Sequence, residues 1–110
     1  MTPRVISRDT ILVQENGLLI NNQGVNTNTK LYLPPPKAGL KFEILQLSEY
    51  AISLITNDPD VSFLLNGFPK EITISGDKSN YGKSLTLLSF QDNWRIFSTT
   101  FDFQHLIFED

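Results

Sequence analysis

The chain has 110 residues, 40% hydrophobic and 19% charged, with nine basic and twelve acidic side chains and a net charge of −3. That is one domain's length and a globular composition, able to bury a core without cross-links. A negative balance with no basic cluster argues against binding nucleic-acid phosphates or a membrane surface. The lack of cysteine excludes disulfides, thiolate nucleophiles and cysteine metal sites.

The opening residues 1–9 contain no apolar leader core, and no apolar run approaches the roughly 20 residues of a membrane helix, so no membrane crossing by those routes is expected. Short runs rich in Val, Ile, Leu, Phe and Thr follow, each bounded by Asn, Asp, Gly or Pro. This punctuation predicts strands at 5–8, 10–14, 18–21, 30–33, 40–47, 51–56, 62–65, 71–75, 84–90, 94–99 and 104–108. No window of eleven residues carries a 3.6-residue apolar stripe, so helix content should be minimal. The expected fold is all-β, a single-domain sandwich or small jelly-roll-like barrel of about 8–10 short antiparallel strands. Residues 1–110 form one domain, with 1–10 as an N-terminal arm and 101–110 as a C-terminal interface segment.

Between the first strands, residues 21–29 are polar and amide-rich and read as a surface loop. The segment Lys30-Leu31-Tyr32-Leu33-Pro34-Pro35-Pro36-Lys37 then breaks the strand pattern firmly. Three consecutive prolines fix φ near −65° and offer no ladder donors, so the chain there should be a stiff connector from one sheet to the other. Gly39 would permit the tight turn into the next strand, where Phe42 and Ile44 face the core. Further on, Glu71-Ile72-Thr73-Ile74-Ser75 alternates with period two, burying Ile72 and Ile74.

Candidate chemistry is sparse. Gly76-Asp77-Lys78-Ser79-Asn80-Tyr81-Gly82-Lys83-Ser84 has the residue types of a phosphate-binding loop. It has five residues between its glycines where the motif needs four, and a strand follows where a helix is required. It reads as a turn. His105, the only histidine, has no nucleophile or orienting acid near it in sequence. Asp58-Pro59-Asp60 supplies too few oxygens for calcium and reads as a solvated turn. Neither a catalytic residue, a metal nor a cofactor is assigned, and the chain is not expected to be an enzyme.

Phe42, Phe63, Phe90, Trp94 and Phe97 lie in strand-like runs and are assigned to the core, whereas Tyr32, Tyr50 and Tyr81 sit where a partner could be met. The run from Phe101 to Phe108 is strongly apolar: either an edge strand on its own domain or a segment buried by another subunit. The candidate interface residues are Val5, Ile6, Arg8, Tyr32, Phe101, Phe103, His105, Ile107 and Phe108.

The strand order carries a resemblance. A polar loop with Gly24-Val25-Asn26-Thr27 leads into "LYLPPPKAGLKFEI"; "AISLITND", "FLLNG", "GKSLTLLSF" and "DNWRIFSTT" follow. Over residues 21–100 this resembles a small β-module of tailed-bacteriophage virion proteins. That module has a Leu-Pro and a Gly before a core strand, then a Gly-x-Ser-Leu-Thr-Leu strand and a Trp-containing strand. The family has Ala where this chain has Pro35 and Pro36, and it often ends with Gly-Trp where this chain continues through Phe101–Asp110. The resemblance implies a capsid decoration (cement) protein, a homotrimer assembled in the host cytoplasm. It would bind the major capsid protein on the virion surface and stabilise the head, without nucleic acid or membrane. The alternative it implies is a structural or receptor-binding module of a tail fibre or tailspike.

Overall fold

The computed structural model describes residues 3–21, 27–37 and 39–110; residues 22–26 of the polar loop, including Gly24, Val25 and Asn26, lie outside them, as do Ala38 and the first two residues of the expected arm. The described chain is all-β, with ten strands in two five-stranded sheets packed as a sandwich. One sheet has the order β1 (Pro3–Ile6), β3 (Gly17–Asn21), β5 (Lys41–Gln46), β8 (Ser84–Phe90) and β9 (Asn93–Thr99). The other runs β10 (Leu106–Glu109), β7 (Glu71–Ile74), β6 (Ile52–Ile55), β4 (Thr29–Tyr32) and β2 (Thr10–Ile11). Helical turns among the described residues are two 3₁₀ turns, Lys78–Asn80 and Phe103–His105.

Period-two alternation builds the interior. In β5 Phe42, Ile44 and Gln46 are buried while Lys41 and Glu43 face solvent; in β7 Ile72 and Ile74 point inward. These meet Leu31, Leu54, Leu85 and Leu87 from the neighbouring strands in a single apolar core. Trp94 closes one region of it, its ring 5.7 Å from that of Phe42.

The expectation of a wholly antiparallel sandwich is corrected by the strand directions. β1, β3 and β5 are mutually parallel, and so are β2, β4 and β6. The first six strands alternate between the sheets, so the chain winds in three coils. Each return to a sheet therefore repeats the previous direction, and no hairpin is available to reverse it. From β7 onward all pairings are antiparallel: β7 on β6, β8 on β5, β9 on β8 and β10 on β7. The β8–β9 hairpin turns through Gln91 and Asp92, with Gln91 at φ +56°.

The proline segment spans from β4 to β5, from one sheet to the other. It is held at both ends: the Gln14 side chain donates to the Pro35 carbonyl (2.8 Å), and the buried Ser89 hydroxyl donates to that of Lys37 while accepting from Leu40 N–H. Gly39, at φ +80°, makes the turn into β5. Gly76 answers a different need: a Cβ there would lie 2.3 Å from the Glu49 carbonyl oxygen.

Coil winding also stacks like positions. Asn21 and Gln46 are adjacent in register and fully buried. Asn21 Nδ2 donates to Gln46 Oε1 (2.8 Å) and to the Tyr50 carbonyl (3.1 Å); Gln46 Nε2 donates to the Ser75 carbonyl (3.2 Å), and its oxygen accepts from Ser48 N–H. Two amides thus satisfy the backbone of the turn between β5 and β6, which would otherwise be buried unpaired.

Candidate interaction surfaces

The stretches weighed for chemistry are turns. Asp77 precedes the 3₁₀ turn and accepts from Ser79 N–H (2.9 Å), and that hydrogen bond holds its carboxyl below the ordinary carboxylate value. β8 follows in the place of a phosphate-loop helix. Asp58 accepts from Asp60 N–H, the geometry of an Asx turn. His105 ends the second 3₁₀ turn half-buried, its carbonyl accepting from Ser75 N–H. Among the described residues no three His, Asp or Glu side chains converge as metal ligands, and no helix is long and apolar enough to cross a membrane.

The remaining prominent features are edges. Each sheet has two, and winding places β1 and β2 together at one end, β9 and β10 at the other. Residues 3–6 are not a free arm: they pair with β3 throughout. Ile6, at 1% exposure, is a core residue and is removed from the candidate interface. Val5 faces outward in register with the half-buried Ile20 and Leu45, and Tyr32 stands in a second outer row between Ile11 and Ile55. Arg8, in the link to β2, is exposed. Ile11 and Val13, both well exposed, complete an apolar rim that sequence reasoning missed. A single short run such as Thr10–Gln14 does not reveal which phase of its alternation faces in.

At the opposite end, Phe101 is also a core residue at 5% exposure and leaves the candidate interface. Phe103, Ile107 and Phe108 are exposed, the two phenylalanine rings 6.3 Å apart. Leu106–Glu109 is an edge strand on β7. Ser75 N–H and Lys70 N–H donate to the carbonyls of His105 and Glu109, so by alternation the backbone groups of Leu106 and Phe108 point away from β7.

Two aromatics depart from expectation. Phe90 and Phe97 are exposed, not core. Phe90 follows the inward Ser89, and Phe97 is the additional residue of a bulge opposite Thr86 and Leu87. Lys41 Nζ lies 5.4 Å from the Phe97 ring centre. Phe68, 63% exposed, holds φ +46° in the turn after Gly67, a backbone region that a bulky L-residue occupies at a cost. Of the tyrosines, Tyr50 is exposed and Tyr81 half-buried.

Burying a fully exposed Phe or Ile side chain contributes about 1.5–3 kcal/mol, so the three on and beside β10 could supply several kcal/mol on docking. Association itself costs about 4–15 kcal/mol. One such edge makes a weak pairwise contact; repeated contacts in a closed assembly would hold.

Comparison with protein-family models, curated proteins and solved structures finds no match for this chain.

Proposed function

We propose that this chain is a bacteriophage capsid decoration protein, a homotrimer that seats on the major capsid protein lattice at the virion surface and strengthens the head mechanically. The observation that carries the reading is the placement of exposed apolar side chains at the sheet edges: Val5, Ile11 and Val13 at one end, Phe103, Ile107 and Phe108 at the other. Apolar clusters on a small domain are a mark of surfaces covered in use. The resemblance of residues 21–100 to the virion β-module supplies the kind of partner, and three-fold avidity would multiply individually weak contacts. The test is co-sedimentation of the purified chain with expanded phage capsids. Saturable binding as a trimer is expected; a stable monomer that stays in the supernatant would refute the reading.

A second reading, a tail-fibre or tailspike module, is favoured by the parallel winding. A coil with two strand edges at one end is a geometry onto which further β-structure can stack. Immunolabelled virions separate the two, with signal over the head for the first and at the tail for the second.

A further inference from the structure

The four sheet edges are not equally guarded. β9 is bulged at Phe97, and its start is covered by residues 62–64: Trp94 N–H donates to the Ser62 carbonyl, and Leu64 N–H to that of Trp94. β2 has two residues, too short to template another strand. That leaves β1 and β10, four residues each, at opposite ends of the molecule.

Their charges are opposite. Arg4 and Arg8 are exposed around β1, and neither forms an ion pair among the described residues. The segment 101–110 carries Asp102, Glu109 and Asp110 with no Lys or Arg, and none of these acids is paired among the described residues. Glu109 also stands directly opposite Glu71 across the β10–β7 ladder. Like charges facing across strands are destabilising, and they sit beside the one long unguarded edge that also exposes Ile107 and Phe108. A cation brought by whatever covers β10 would relieve that repulsion.

We infer that copies of this chain assemble head to tail, the β10 edge of one docking on the β1 edge of the next, with Arg4 and Arg8 meeting the acidic group of Glu71, Glu109 and Asp110. The contact joins two different surfaces, so it is heterologous and must either close into a ring or run on as a filament; the homotrimer reading requires that it close at three copies. The inference rests on the homotrimer reading above and specifies the surfaces that make it. Charge fixes the pairing and its direction, while the apolar side chains supply burial. Two copies of β10 facing each other would bring Glu109 and Asp110 of both into one contact, which disfavours a two-fold dimer through the same edge.

The test uses two full-length variants. Arg4→Glu/Arg8→Glu disables the head, and Glu109→Lys/Asp110→Lys disables the tail; all four side chains are exposed. Each variant alone should drop to one third of the wild-type mass in sedimentation, with its unfolding midpoint unchanged or, for the tail variant, raised by the loss of repulsion at Glu71. Mixed in equal amounts at high concentration, the two should associate again, because the intact tail of one meets the intact head of the other and the two reversed surfaces are complementary to each other as well. Ile107→Ser, which leaves the charges alone, should also be monomeric. A trimer that survives Arg4→Glu/Arg8→Glu would overturn the inference while leaving the trimer reading intact. A head variant that still dimerises beside a monomeric tail variant would point to β10 pairing with its twin, and two variants that stay monomeric when mixed would overturn it too. A monomeric wild type would remove both the inference and the reading beneath it.

Discussion

The first six strands and the last four bury apolar side chains with the same alternation, yet they solve opposite problems. In the coil-wound part the parallel strands stack equivalent positions on one another: Asn21 on Gln46, Leu31 beside Leu54, Val5, Ile20 and Leu45 in one outer row. Like residues gather in ladders, and one buried amide ladder can serve a whole turn. In the antiparallel part the buried ladder of Ile52, Ile74 and Leu106 is wholly apolar and serves no turn. There the seams are closed by local devices: the hairpin at Gln91, the bulge at Phe97 and the crossing of residues 62–64 over Trp94. The contrast teaches that the wound part depends on register and the capping part on individual large side chains.

Five substitutions would break or sharpen that contrast. The largest effect belongs to Trp94→Ala. Trp94 is fully buried where β9, Phe42 and the 62–64 crossing meet, so about 3–5 kcal/mol should be lost in urea unfolding. A loss below about 1 kcal/mol would mean the capping part does not hinge on it. Next comes Gln46→Leu in the wound part, which leaves Ser48 N–H without its acceptor and strips a donor from the Ser75 carbonyl, at about 2 kcal/mol. Its counterpart is Thr73→Val, which removes a half-buried hydroxyl bond to Ser53 and should cost no more than about 1 kcal/mol. Equal losses at the two sites would erase the distinction between ladder and local contact.

Gly76→Ala probes the crossing from β7 to β8. The added methyl meets the Glu49 carbonyl at 2.3 Å and must displace backbone, so about 1–3 kcal/mol should be lost. The smallest effect, and the one of opposite sign, is expected at Phe68→Gly. Left-handed backbone costs an L-residue roughly 1–2 kcal/mol, and glycine's added chain entropy returns about 0.5–1 of it. The exposed ring has little packing to lose, so the variant should match or slightly exceed the native chain in thermal stability. A clear loss would show that the ring is packed in solution.

Much of this architecture was legible in the residues. Strand positions followed from β-rich runs between turn formers, except at 62–65, where Phe63 makes only an isolated bridge to Trp94, and the proline connector followed from the missing N–H groups of Pro34, Pro35 and Pro36. Strand direction was not legible, because the alternation of Leu18-Leu19-Ile20 reads the same whether its neighbour runs parallel or antiparallel. Phe90 and Phe97 were misplaced for a different reason. Their apolar character suggested burial, but each lies out of phase with the inward positions of its own strand, Leu87 and Ser89 in one case and Trp94 and Ile96 in the other. The interface suffered the converse error: Ile6 and Phe101 are apolar and near the ends of the chain, and the sandwich uses both internally. The pairing of Glu109 with Glu71, from which the head-to-tail contact is argued, arises only once β10 is laid on β7.

Sedimentation equilibrium of the wild-type chain over a hundredfold range of concentration tests the central claim most directly. Assembly through unguarded edges predicts a concentration-dependent shift from one chain mass to three, weakened by salt because ion pairs guide the contact. A single species of one chain mass throughout that range would contradict it.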